Sequence, residues 1–258
     1  MKVTMLGTGT SQGVPVIGCE CEVCTSADPR DNRLRASIMV SHEGRNVVVD
    51  AGPDFRQQML REKVRTLDAV VFTHEHKDHV AGLDDVRAFN FLEKRDMEVY
   101  CTDRVEEALR REYHYIFQEL TYPGIPKVNL NRIELEPFTL ELGLKFIPIE
   151  VLHYKLPVLG FRINDFCYIT DAKTVSEEER KKIRGSKVLI VNALRTTEHL
   201  SHFNLGEALA FIEDMAPEQA YLTHISHLFA KHTDIQAMLP EGVDVAFDGQ
   251  VIDMDDYQ

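Results

Sequence analysis

The sequence predicts an α/β protein built from mixed sheets. Short apolar runs rich in β-branched residues recur along the chain, separated by polar turns, and segments with helical spacing lie between many of them. No internal repeat, low-complexity tract or Ser/Pro-rich linker interrupts the 258 residues, so residues 1–258 read as a single domain.

The first strand is expected at residues 3–6, Val-Thr-Met-Leu, running directly into the glycine-rich turn Gly7-Thr8-Gly9. Runs 36–40 and 47–49 follow, the second consisting of three valines, whose β-branched content suits a strand. A helical pattern at 54–62 leads to strand 69–72 (Ala-Val-Val-Phe) and then to strand 99–101. Helix 105–116 comes next, and strands are then expected at 146–151, 160–163 and 167–169. Ser176, followed by Glu177, Glu178 and Glu179, marks a capped start for helix 176–183, with acids at the favourable end of the helix dipole. Strand 188–191, helix 205–215, strand 220–222, helix 232–239 and strand 243–247 complete the pattern.

Composition restricts the functions open to the chain. Hydrophobic content of 44% and charged content of 28% are those of a globular protein with a sizeable core. No run of about 18 apolar residues occurs, so no membrane-spanning helix is expected. The N-terminal segment lacks the apolar centre of a secretion signal, and the expected compartment is the cytoplasm. The net charge of −13 repels phosphate backbones and disfavours nucleic acid, whereas a small anionic substrate stays accessible if divalent cations reverse the local sign. Three of the five cysteines crowd into Cys19-Glu20-Cys21-Glu22-Val23-Cys24. In a chain with no export signal that spacing points to a metal rather than to disulfides. Cys101 and Cys167 sit in apolar runs and read as buried structural residues.

Chemistry concentrates in Thr73-His74-Glu75-His76-Lys77-Asp78-His79, directly after strand 69–72. Three histidines and an aspartate at this density, without a cation, would repel when protonated and waste polar groups when buried. Imidazole and carboxylate donors suit Zn²⁺, Mn²⁺ or Fe, and no thiol in the set imposes zinc.

This His-x-His-x-Asp-His pattern, followed by Val80-Ala81-Gly82-Leu83, resembles the signature of the metallo-β-lactamase superfamily. Asp50-Ala51-Gly52, His153, Asp171 in Tyr168-Ile169-Thr170-Asp171, and His224 in Leu222-Thr223-His224 fit its remaining motifs in order, each at the end of an apolar run. The resemblance implies a four-layer αββα sandwich with two divalent metals at one edge of the sheets. It implies that His74, His76 and His153 hold one metal, that Asp78, His79 and His224 hold the other, and that Asp171 bridges them. Asp78 is expected to serve catalysis as well as binding. A redox branch places Glu where this chain has His76, so hydrolysis is the expected chemistry. Two such cations can hold a hydroxide between them with its pKa lowered towards 7.

The glycine-rich turn, the cysteine loop and Leu222-Thr223-His224-Ile225-Ser226-His227 together resemble the phosphoribosyl 1,2-cyclic phosphate phosphodiesterases of the carbon–phosphorus lyase pathway, over about residues 7–252. That resemblance implies a structural zinc on Cys19, Cys21, Cys24 and His227, which is a closed Cys₃His set. It also implies a catalytic role for His202, which meets the substrate phosphate or protonates the leaving oxygen, with His199 as its rival. The reading is therefore a dinuclear (Zn or Mn) phosphodiesterase for a small phosphate ester. The alternatives are an endonuclease of the tRNA 3′-end type, and a non-hydrolytic relative of the quinone cofactor pathway that carries a similar zinc loop. His42, His114 and His232 have no motif around them and are expected at the surface. The aromatic segment 111–126 fits a lid, a homodimer surface or a core-packing stripe.

Overall fold

The computed structural model describes residues 1–118, 122–140 and 143–257. Among the described residues one sheet holds β1 (Lys2–Gly7), β2 (Ser37–His42), β3 (Arg45–Val49), β4 (Ala69–Val71), β5 (Met97–Cys101), β6 (Val128–Arg132) and β15 (Val251–Asp253), in the order β15-β1-β2-β3-β4-β5-β6. The other holds β8 (Lys145–His153), β9 (Leu156–Ile163), β10 (Phe166–Ile169), β11 (Thr174–Val175), β12 (Val188–Asn192), β13 (Gln219–Thr223) and β14 (Val243–Val245), in the order β11-β8-β9-β10-β12-β13-β14. A short strand β7 (Phe138–Thr139) pairs with β8. Each sheet is parallel in one half, β3 to β6 and β10 with β12 to β14, and antiparallel in the other.

Side-chain alternation along these strands creates the layers. Val47, Val49, Ala69 and Val71 face inward and meet Phe161, Ile163, Phe166, Tyr168 and Ile190 of the second sheet. Val48, Val70 and Val99, on the opposite face, are covered by Phe55 and Met59 of α1 (Phe55–Arg61), Phe89 of α3 (Arg87–Glu93) and Leu109 of α4 (Asp103–Glu112). On the far side, Leu189, Val191 and Leu222 pack under α5 (Glu177–Ile183), α6 (Leu205–Met215) and α7 (His232–Met238), through Ile183, Phe211 and Ile235. The result is the expected αββα sandwich. Among the described residues no helix is long and apolar enough to cross a membrane.

Several local expectations shift. The helix expected over 105–116 ends at Glu112: Tyr113 leaves helical geometry at φ −110°, and His114–Phe117 form a 3₁₀ turn. Strands β6, β7, β11 and β15 and the helices α2 (Lys77–Val80) and α3 escape the sequence pattern. In β6, Val-Asn-Leu-Asn-Arg, the asparagines dilute the apolar signal; on this edge strand Asn129 and Asn131 donate to the Glu98 carboxylate of β5. Ser176 caps α5 as expected, its hydroxyl accepting from the Glu179 amide. His232 is not at the surface. It is buried at the start of α7 against Arg33 and Phe247, while His42 is half-buried and His114 exposed. In the aromatic segment, Tyr113 is core and donates to the Val80 carbonyl, Tyr115 and Phe117 pack partly against that core, and Tyr122 is exposed. Residues 119–121 of that segment lie outside the described residues.

Candidate metal centre

The candidate ligands follow strand ends that the mixed topology brings to one edge. Asp50 follows β3, Thr73 to His79 follow β4, His153 closes β8, Asp171 follows β10 and His224 follows β13. Asp50, Asp171 and His224 all adopt left-handed backbone conformations, with φ of 68°, 56° and 58°. Such a conformation costs a non-glycine residue energy and is tolerated where the surroundings fix it, typically at functional sites.

Within the cluster His79 Nε2 lies 3.2 Å from Asp78 Oδ2 and 3.3 Å from Asp171 Oδ2. His224 Nε2 lies 3.3 Å from Asp171 Oδ1 and 4.0 Å from Asp78 Oδ2. The His74 ring centroid is 4.2 Å from that of His79 and 4.6 Å from that of His76, and the rings of His76 and His153 are 5.3 Å apart. Donor atoms of Asp78, His79 and His224 converge within 4.8 Å, as do those of His74, His79 and Asp171 and those of His153, Asp171 and His202. His76 touches the cluster through its ring but belongs to none of these tight sets. His202 falls closer to the centre than His199: its Nδ1 is 3.7 Å from Asp171 Oδ1, and its ring is 4.4 Å from that of His153 and 4.7 Å from that of His224.

These residues fit a pair of cations. His74 Nε2, His202 Nδ1 and His224 Nδ1 are buried without a hydrogen-bond partner among the described residues, and His79 Nε2 and His224 Nε2 face carboxylate oxygens without an aligned hydrogen bond. Unpaired buried nitrogens are costly, and coordination is the interaction that would satisfy several of them at once. Electrostatics agree. Burial holds His74 well below its ordinary range and lowers His224 and His76, so these imidazoles are neutral donors. Burial alone would raise Asp171 and Asp78, but the facing histidines hold both carboxyls well below the usual range, so they are anionic. Burial would likewise lower His79, yet the carboxylates of Asp50, Asp171 and Asp78 hold it well above.

Supporting bonds orient the donors. The fully buried Asp50 accepts from Thr73 N (2.9 Å) and Thr73 Oγ1 (2.8 Å), and its Oδ2 lies 2.7 Å from His79 Nδ1. This leaves His79 Nε2 to face the site, the arrangement by which carboxylates fix the tautomer of metal-binding histidines. His153 does the same through Nδ1, 3.0 Å from the Ser201 carbonyl. Sequence reasoning placed Asp50 in a motif and gave it no task; its signal was its position at a strand end beside the histidine cluster.

The second cluster lies apart from this one. Cys19 Sγ is 3.3 Å and Cys21 Sγ 3.5 Å from His227 Nδ1, and Cys24 completes a set within 4.8 Å. All five cysteines are free of disulfides. Hydrogen bonds from the Cys24 amide and from His227 lower the Cys21 thiol to about 6, whereas burial raises Cys24 to about 11. Amides aimed at sulfur, Cys24 N to Cys21 Sγ and Val16 N to Cys24 Sγ, shape a loop that suits a tetrahedral Cys₃His zinc. Cys101 and Cys167 are buried in β5 and β10, with burial pushing both thiols up to about 12.

Fold and site together are those of a metal-dependent hydrolase with the metallo-β-lactamase architecture. The family described as the β-lactamase superfamily domain matches residues 45–225, and the chain belongs to that superfamily. A solved structure of a new diphosphatase from the PhnP family is 37% identical, with a TM-score of 0.91, covering 98% of this chain and 97% of that one. Among curated relatives, an octanoyltransferase of Porphyromonas gingivalis is 36% identical over 252 residues, 96% of this chain but 51% of that protein, so the chain spans about half its length. Coenzyme PQQ synthesis protein B of Methylorubrum extorquens is 25% identical over 305 residues, covering 98% of this chain and all of that protein.

Proposed function

We propose that the chain is a dinuclear metal phosphodiesterase acting on a small cyclic phosphate or phosphodiester, with phosphoribosyl 1,2-cyclic phosphate among the substrates to screen. The observation that carries this reading is the convergence of Asp78, His79, Asp171 and His224, with buried imidazole nitrogens that have no hydrogen-bond partner among the described residues. In it His74, His76 and His153 would hold one divalent cation, Zn or Mn, and Asp78, His79 and His224 the other, with Asp171 between them. Bound cations of this kind supply Lewis acidity to a phosphoryl oxygen and acidify a water. The chain's own part is to fix the phosphate and manage the proton. His202, held down at about 2 by burial and by neighbouring His224, is a neutral imidazole beside Asp171 whose ring N–H can donate a hydrogen bond to the leaving oxygen. Cys19, Cys21, Cys24 and His227 would hold a structural zinc that takes no part in the reaction. The similarity to a PhnP-family diphosphatase supports phosphate chemistry, and the charge of −13 weighs against an RNA substrate.

Metal-loaded protein should hydrolyse bis(p-nitrophenyl) phosphate with Mn²⁺, and His202→Ala should lose about 10²-fold or more in kcat while keeping its metal content. Absence of turnover with both sites metallated would overturn the reading, and cleavage of precursor tRNA in place of small diesters would favour the endonuclease alternative.

A further inference from the structure

Neither donor set uses the glycine-rich turn Thr8-Gly9-Thr10 that follows β1, yet the turn bears on both. Ile225 stands between His224 of the histidine cluster and His227 of the cysteine cluster. Its amide donates to Thr8 O (2.8 Å) and its carbonyl accepts from Thr10 N (3.1 Å). Two hydrogen bonds therefore hold a segment from which one donor reaches each cluster. His224 needs such outside support, because its left-handed backbone, φ 58°, is costly for a residue with a Cβ. What holds Thr8 in turn comes from the far end of the chain. Asp248, between β14 and β15, has an almost fully buried side chain. Its Oδ1 accepts from Thr8 N (2.9 Å) and Thr8 Oγ1 (2.8 Å), and its Oδ2 from Leu34 N (2.8 Å) and Arg61 Nη1 (3.2 Å). Leu34 is itself joined to the turn, its carbonyl accepting from Gly9 N (2.8 Å). Buried Arg33 approaches from the other side, donating through Nη1 to Thr8 Oγ1 (2.9 Å) and to the Ala246 carbonyl (2.6 Å). A buried carboxylate and a buried guanidinium thus meet on one hydroxyl. Burying such charges is costly unless they are paired and hydrogen-bonded, and here the bonds converge on a turn that carries no metal donor.

We propose that Asp248 is a positioning residue shared by both centres. Through Thr8 it fixes Ile225, and with it the reach of His224 on one side and of His227 on the other. The proposal rests on the ligand assignment given above and is independent of the reaction. It sets Asp248 apart from Asp50, which bears on His79 and so on the histidine cluster alone. In Asp248→Asn an NH₂ must replace one carboxylate oxygen. Turned toward Thr8 it faces the Thr8 amide N–H, and turned the other way it faces the Leu34 amide and Arg61. A donor then meets a donor in either orientation, and the turn loosens.

Cobalt tests it, because thiolate–cobalt absorption follows the cysteine centre while equilibrium dialysis counts all bound metal. Both are read in competition with a chelator, at a temperature where circular dichroism shows each variant folded, so that lost stability alone does not move them. Asp248→Asn and Thr8→Val should each weaken cobalt binding about tenfold at both centres, whereas Thr8→Ser, which keeps the hydroxyl and the amide, should stay within about twofold of the parent. If Asp248→Asn does not fold, Thr8→Val against Thr8→Ser carries the same comparison. Weakening at one centre only, or at neither, overturns the shared role and leaves the ligand assignment standing. An equal loss in Thr8→Ser also overturns it, since the hydroxyl would then not be the link. A parent that takes up cobalt at one centre alone, or at neither, overturns the ligand assignment and the shared role with it.

Discussion

Replacing Asp50 by Asn preserves the shape of a fully buried side chain and removes its charge. The carboxylate accepts three contacts: Thr73 N on Oδ1, and Thr73 Oγ1 and His79 Nδ1 on Oδ2. An Asn that keeps its oxygen toward Thr73 N turns an NH₂ toward the other two. The Thr73 hydroxyl can rotate and accept, but His79 Nδ1–H then faces a donor. A buried donor left unmet costs about 1–3 kcal/mol. The His79 ring escapes that cost by turning or changing tautomer, and either move withdraws Nε2 from Asp78 and Asp171. Loss of such a supporting carboxylate typically lowers metal affinity about 10–100-fold. That factor corresponds to about 1.4–2.8 kcal/mol, which matches the hydrogen-bond figure. Competition against a chromogenic chelator should show one metal of the proposed active-site pair weakened by this factor, with any zinc at the cysteine cluster untouched. An affinity within about twofold of the parent would refute the role given to Asp50.

Other substitutions read out other parts of the molecule. Cys24→Ser should release one zinc per chain and lower the thermal midpoint, because a structural zinc contributes on the order of 10 kcal/mol to folding; loss of the two active-site metals from a still-folded protein would show that the sites are wrongly divided. A Cβ at Gly82 would lie 2.0 Å from the Gly52 carbonyl and 2.7 Å from Phe55 Cβ, so Gly82→Ala should cost about 1–3 kcal/mol in urea unfolding. An unchanged midpoint would mean that these two motif loops do not interlock as described. Burial, followed by neighbouring Arg33, lowers His232 from the ordinary 6.5 to about 4. The unfolded chain therefore takes up that proton first, and stability is complete above pH 6.5 and falls as pH drops from 6.5 towards 4. His232→Gln should flatten urea midpoints over that window; an identical slope would remove His232 from the acid response.

The candidate ligands were legible in the sequence because they are chemically rare residues at the ends of apolar runs. The central strands were equally plain, since β3, β4 and β12 are apolar on both faces. What escaped was governed by pairing with remote partners. Edge strand β15, Val-Ile-Asp, is defined by its register with Lys2, Val3 and Thr4, which no local pattern announces. Asn192, whose side chain holds both the amide and the carbonyl of Ala172 next to Asp171, reads in sequence as the polar end of a strand. His232 looked like a surface residue because the cation and ring that bury it, Arg33 and Phe247, lie far from it in the chain. The Arg104–Glu75 contact likewise joins two segments that only the layered fold brings together.

Ile225, between His224 and His227, is hydrogen-bonded on both sides to the N-terminal turn: its amide donates to Thr8 O and its carbonyl accepts from Thr10 N. Considered against the order in which a ribosome makes the chain, this clasp has a consequence. The cysteines, the His74–His79 turn and His153 all emerge before the segment that completes either centre. A nascent chain can collect stray cations on its early cysteines and histidines, but neither centre closes until residues 224–227 dock on the turn made first. On the proposed ligand assignment, selective metal loading would wait for residues 224–227, and both centres would be completed by the same docking step.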